Sequence, residues 1–259
     1  MKSLPPNAGG QETAGSDKRG LRLGNKPHTH PLALLLVLLV YMVTTLAWDR
    51  QGLAGRLVLA SLGSLIPLVS MTGLRGEQTR LLRALSVLGA MQVVALWVYC
   101  ILPTTSTAYV EAVVSTVFYS YLTVLLVAYL ARSRKVDANT VYAAATVFLL
   151  LGIAWSHAHH LIEMAMPGSY SSGMNATDYL YFSFTALTTT GFGDILPLSS
   201  TARLATLLEE VMGTLYVAIL IGRIVGITVS RAAFEKDASK EEEKPAQQTY
   251  AEQQRPPPD

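Results

Sequence analysis

The chain has 259 residues, of which 51% are hydrophobic and only 15% charged, a balance that fits an integral membrane protein better than a soluble domain. A net charge of +2 is too small to suggest a nucleic-acid partner. The single cysteine, Cys100, lies in an apolar run and excludes an intrachain disulfide.

Residues 1–30 hold Pro5-Pro6, several glycines and scattered Lys and Arg, and no apolar stretch. They read as a disordered cytoplasmic tail. A cleavable signal needs a short apolar region nearer the start, so the first apolar run, 31–48, reads as an uncleaved membrane helix. Further runs follow at 53–74, 81–102, 108–131, 139–163 and 201–229. Each approaches or exceeds the ~20 residues that a helix needs to cross a bilayer. The expected fold is therefore all-α, with six transmembrane helices. Arg56 stands close enough to the end of the second run to snorkel to the interface, and Pro67 is expected to kink it. After the sixth run, the charged residues 235–244 extend the helix briefly. The Gln- and Pro-rich stretch 245–259 reads as disordered.

Orientation follows from Lys and Arg beside the runs. Lys18, Arg19, Arg22 and Lys26 precede the first, and Arg75, Arg80 and Arg83 separate the second from the third. Arg132, Arg134 and Lys135 separate the fourth from the fifth, and Arg231, Lys236, Lys240 and Lys244 follow the sixth. The other side carries only Arg50, Arg56 and Arg203. Both termini are expected in the cytoplasm of a multi-pass protein in the cell's plasma (inner) membrane, with the loop 164–200 outside.

That loop contains the most unusual stretch of the chain, Thr-Ala-Leu-Thr-Thr-Thr-Gly-Phe-Gly-Asp at 185–194. Glycine reaches positive φ, which other residues avoid. Gly191, Phe192 and Gly193 therefore let successive carbonyls point to one side of an extended strand. Non-helical backbone at membrane depth is tolerated where protein buries it or water reaches it. A line of such carbonyls from several subunits can replace the water shell of a cation. Asn175-Ala176-Thr177-Asp178 just upstream forms a helix start, with Asn175 or Thr177 as the cap and an acid in the first turn. The run 179–187 then forms a short helix.

The seven residues 188–194, Thr-Thr-Thr-Gly-Phe-Gly-Asp, resemble the filter signature of potassium channels in its Phe-containing variant. The resemblance implies a homotetramer in the membrane lipid, with potassium as the permeant ion, no cofactor and no enzymatic activity. It implies a re-entrant pore helix at 179–187 whose C-terminal end faces a central cavity, where the helix dipole favours a cation. Carried over by position, Thr189 supplies the innermost site through hydroxyl and carbonyl. Thr190, Gly191 and Phe192 supply the next carbonyls, and Gly193 stands at the outer mouth. Thr190 replaces the usual Val, and Phe192 the usual Tyr; both changes bear on filter rigidity more than on selectivity. Tyr181 stands where relatives often have a Trp bonded to the carboxylate after the filter, which implies a Tyr181–Asp194 bond. Thr185 and Thr188 complete the support.

The last helix continues the resemblance. Gly213 falls at the usual hinge of the pore-lining helix, and Glu209 matches a Glu that small bacterial channels carry just before that glycine. Carboxylates in a membrane helix are costly and face protein or water. Two readings stand for Glu209: acceptance of bonds from pore-helix hydroxyls such as Thr185, or sensing of protons or ions. Thr214, Ala218, Ile221 and Val225 share a stripe at helical spacing, expected to face the inner cavity. A packing seam through Gly213 and Ala218 is the alternative.

His157, His159 and His160, with Glu163, cluster near the outer end of the fifth run. Histidines at such spacings can share a metal or titrate near neutral pH, which leaves a metal-dependent membrane enzyme as a reading from another class. A weakly selective cation channel or a silent subunit is the nearer alternative. The fourth run carries only Glu111, at one end, where a voltage sensor needs spaced positive charges. The roughly thirty residues after the sixth run are fewer than a folded regulatory domain needs. The expected organisation is a tail at 1–30, a four-helix unit at 31–135, a pore unit at 139–230 and a cytoplasmic tail at 231–259.

Overall fold

The computed structural model describes residues 31–47, 52–73, 79–133, 137–171 and 174–253. The expectation for 1–30 lies outside them. Among the described residues seven helices follow one another: α1 Pro31–Ala47, α2 Leu53–Gly73, α3 Thr79–Ile101, α4 Thr105–Arg132, α5 Ala138–Ala165, α6 Ala176–Leu187 and α7 Ser200–Gln253. Five of them, α2 to α5 and α7, are long and apolar enough to cross a membrane, whereas α1 is a shorter apolar helix.

The helix starts follow from local chemistry. Thr104 and Thr107 form a capping box at the head of α4, and the Asp137 side chain accepts from Thr140 N at the head of α5. Such caps satisfy backbone donors that lack a partner in the first turn. At the head of α7, Ser199 Oγ accepts from Ala202 N over 3.1 Å.

α1 to α4 pack in sequence and close into a ring through α5, which touches both α1 and α4. α5 also contacts α6 and α7. It is thus the shared wall between the four-helix unit and the pore-side unit. Its inner residues Ala143, Val147, Leu150 and Ile153 are buried with Phe118, Tyr119, Leu122 and Leu126 of α4. Polar side chains within the ring pair off, as a dry interior demands. Trp97 Nε1 donates to Ser64 Oγ (3.0 Å), and Ser115 Oγ lies 3.0 Å from Gln92 Oε1 and 2.7 Å from Glu111 Oε1.

One expectation changes, at the end of α7. α2 continues through Pro67 as one helix. The Arg56 Nε is buried with no hydrogen-bond partner among the described residues. The Arg56 side chain lines a cavity with Tyr41, Glu111, His157 and His160. α7 runs on to Gln253, past Pro245, where composition suggested an unstructured tail. The helix formers Ala, Glu, Lys and Gln dominate 232–253, and they outweigh the lone proline.

Candidate functional site between α5 and α7

The loop from α5 to α7 folds back on itself around α6. Asn175 caps α6 by accepting from Thr177 N and Asp178 N, and the Asp178 side chain returns a bond to Asn175 N. Asn175, not Thr177, is therefore the cap. Thr177 uses its hydroxyl to reach Thr45 O of α1 over 3.2 Å. The helix is twelve residues long, three of them upstream of the apolar run that the sequence marks.

At the other end of α6 the chain leaves in an extended path with alternating handedness. Thr189, Gly191 and Gly193 have φ of 55°, 52° and 78°, the left-handed region that favours glycine. Thr189, with a Cβ, is held there by its neighbours at a cost of about 1–2 kcal/mol. Thr189 N donates to Ala186 O (2.8 Å), and Thr190 N and Gly191 N both donate to Thr185 O (2.8 and 3.2 Å). In a trans peptide the carbonyl of one residue points opposite the N–H of the next. The carbonyls of Thr188, Thr189 and Thr190 are thereby aimed away from the end of α6. All of 188–194 is exposed in the single chain, with Phe192 68% accessible.

Behind this stretch the hydroxyls bond one another. Thr188 Oγ1 donates to Phe184 O (2.7 Å) and lies 2.8 Å from Thr190 Oγ1. Tyr181 OH donates to Asp194 Oδ2 over 2.9 Å, the bond expected from the resemblance, and the Tyr181 ring lies parallel to Phe192. The bond to Asp194 holds the Tyr181 phenol above its usual range.

The chain then returns along the α5 exit. Tyr170 and Pro197 form an isolated antiparallel bridge. Leu198 N and Ser199 N donate to Ser169 O (2.7 and 3.3 Å), and Ser171 N donates to Leu196 O (3.0 Å).

Glu209 is fully buried beside a hydroxyl of α6, as one reading expected, but the residue is Ser183 and not Thr185. Ser183 Oγ lies 2.5 Å from Glu209 Oε1, whereas Thr185 bonds the carbonyl of Phe182 in its own helix. The second oxygen, Oε2, lies 2.8 Å from His159 Nε2, and His159 Nδ1 lies 2.6 Å from Tyr170 OH. Burial pushes the Tyr170 phenol well above its ordinary value, with the Tyr179 phenol and the Glu209 carboxyl adding to the effect. Tyr170 therefore keeps its proton and can donate it.

The histidines do not converge. His157 stacks on Tyr119 at 5.5 Å, His160 sits against Tyr179, and His159 alone turns toward α7. No group of three or more His, Cys, Asp or Glu among the described residues is arranged to hold a metal ion.

On α7, Gly213 is buried against the end of α6, where a Cβ would overlap the Leu187 carbonyl. Close approach requires a glycine here, as the seam reading has it for this residue. Ala218, with Thr214, Ile221 and Val225, is exposed in the single chain. Two contacts had no clear mark in the sequence. Gly152 of α5 leaves room for the Phe184 ring of α6, and Arg223 Nη2 of α7 donates to Ser133 O just past α4.

The family model that matches this region is described as "Ion channel" and covers residues 139–230, from the first turn of α5 into α7. The match supports an ion-channel function. With the apolar helices it indicates a membrane protein, and a channel rather than an enzyme. No curated protein matches the chain at a significant level.

Proposed function

We infer that the chain is one subunit of a homotetrameric potassium-selective channel that conducts passively across the cell's plasma (inner) membrane. The observation that carries this reading is the path of 188–191. Three successive N–H groups are tied back to the end of α6, so three successive carbonyls are presented on the open side. Four such strands around an axis give rings of oxygens that can stand in for the water of a dehydrated potassium ion.

The roles follow from this arrangement. Thr189, Thr190, Gly191, Phe192 and Gly193 hold ions through their carbonyls, with Thr189 adding its hydroxyl. Tyr181, Thr185, Thr188 and Asp194 brace the strand from behind, and Glu209 braces α6. One subunit leaves 188–194 exposed on one side, which supports assembly around it. α6 is then the re-entrant pore helix and α1 a sixth crossing. The exposed stripe Thr214, Ala218, Ile221 and Val225 lines the inner cavity. Both termini are cytoplasmic, the strand opens to the outside, and lipid surrounds the assembly.

Purified protein in planar bilayers, with potassium on one side and sodium on the other, tests the reading. A reversal potential strongly biased toward potassium, with block by barium, is expected. Equal permeability of the two ions would reject potassium selectivity.

A further inference from the structure

Tyr170, His159, Glu209 and Ser183 form a continuous chain of polar atoms in which no member is more than 3% exposed. It joins four parts of the fold: the loop after α5, then α5, α7 and α6. Proton accounting along it is restrictive. In the tautomer in which Tyr170 O–H donates to His159 Nδ1, the proton of a neutral imidazole is on Nε2, where it donates to Glu209 Oε2. At the other end, Ser183 Oγ lies 2.5 Å from Glu209 Oε1 and 2.7 Å from Gly152 O. The hydroxyl has one proton for two oxygens, and the Gly152 carbonyl can only accept. If Glu209 is ionised, Ser183 donates to it and gives up Gly152. If Glu209 is protonated on Oε1, it donates to Ser183, and Ser183 donates to Gly152.

The charge balance differs between the two states. With His159 neutral, a protonated Glu209 leaves the chain neutral, and an ionised one leaves a buried negative charge, which is costly unless it is paired. No Lys or Arg among the described residues is paired with Glu209; its salt-bridge partner is His159. The other titratable groups around the chain are acids, a phenol and an imidazole: Glu210 on α7, Glu163 and His160 on α5, and Asp178 and Tyr179 on α6. The nearest cation in sequence on α7, Arg203, donates to Pro197 O instead.

We propose that Glu209, seated on His159, is a binding site for a single proton, and that this proton controls how the pore helix is held. Bound, it sets the Ser183 hydroxyl on Gly152 O and latches α6 to α5. Released to solvent, it turns that hydroxyl onto Glu209 and leaves a negative charge against the back of α6, which favours cations in front of it. The effect on conduction rests on the potassium-channel reading; the proton site does not.

Infrared difference spectroscopy of the full chain in lipid, between acid and alkaline buffer, reads the proton directly. The carbonyl-stretch band of a buried carboxylic acid is expected to be lost on alkalinisation, and that loss is expected to be missing in Glu209→Gln. Tyr170→Phe, which removes the donor to His159, is expected to shift the midpoint. An identical band change in Glu209→Gln, or none in the wild type, overturns the site. If Glu209→Gln does not assemble, Ser183→Ala serves: the band is expected to persist but move, because its partner is gone, and an unmoved band counts against the proposal. Potassium flux into liposomes then tests the coupling. Flux is expected to rise with pH in the wild type and to stay flat at the acid level in Glu209→Gln. A flat wild-type profile with the band change intact rejects the coupling alone. Absence of potassium selectivity, by contrast, would leave the infrared result untouched.

Discussion

Tyr181 OH donates to Asp194 Oδ2 over 2.9 Å, so the second turn of α6 is fastened to the residue that closes the exposed strand. Because the bond raises the phenol's pKa from its ordinary 10.0, the folded state holds this proton more tightly than the unfolded chain. The stabilisation is fully present below the ordinary value and is lost as pH rises through the raised one. Tyr181→Phe is expected to shorten sustained conduction at neutral pH and to remove the extra loss that the wild type shows in strong alkali. Recordings of current decay across the alkaline range check this, and identical decay in both proteins would show that the bond does not brace the strand.

Gly191→Ala tests the handedness of the strand. Nothing lies within 4 Å of a Cβ built there, so space is not the obstacle. Its φ is 52°, and an L-residue in that region costs roughly 1–2 kcal/mol. Loss of the potassium preference in bi-ionic recordings is expected, with the assembled protein still recoverable. Unchanged selectivity would mean that the carbonyls do not do the sorting.

Gly213→Ala separates a seam from a hinge. A Cβ pressed onto the Leu187 carbonyl overpacks the junction of α6 and α7, at a cost of about 1–3 kcal/mol. Thermal unfolding in detergent should fall clearly below that of the wild type. A hinge that merely stiffens would leave unfolding unchanged and alter opening alone.

Opening is expected to depend weakly on voltage. Between residues 110 and 130, α4 contains neither Lys nor Arg. One charge moved across the whole field is worth about 2.3 kcal/mol per 100 mV, and steep gating needs several per subunit. A conductance–voltage curve in symmetric potassium should be shallow. A steep sigmoid with measurable gating current would show that the four-helix unit carries a sensor.

What was legible in the sequence was what is local. The apolar runs and the Asn175 region as a helix start depend on residues within one stretch of chain, and the Tyr181–Asp194 bond, implied by the resemblance, joins residues thirteen apart. The partners of Glu209 were not legible, for a geometric reason. Ser183 and Thr185 are two residues apart, about 200° round a helix and so on opposite faces, and the sequence does not say which of those faces α6 turns toward α7. His159 lies fifty residues from Glu209, and only the packing of α5 against α7 brings the imidazole to the carboxylate. A signal was nevertheless present: ionisable side chains in apolar runs need partners, and His157, His159 and His160 on one run faced Glu209 and Glu210 on the other as candidates. Arg56 was read from its place near a helix end alone, whereas the cavity it lines with Tyr41, Glu111, His157 and His160 depends on how the helices pack. The helix beyond Pro245 was missed because composition was weighed over propensity.

The contact between Arg223 and Ser133 carries a consequence for how the protein is made. The last carbonyls of a helix bear partial negative charge, and the end of α4 receives its guanidinium from a residue synthesised 90 positions later. His159 likewise waits for Glu209, 50 positions downstream. A nascent chain therefore inserts α4 and α5 with their polar ends incomplete, and the arrival of α7 finishes both at once. Chains stalled before that helix emerges hold an imidazole without its carboxylate and carbonyls without their guanidinium, the kind of mark by which a cell's quality-control machinery can tell an unfinished membrane protein from a finished one.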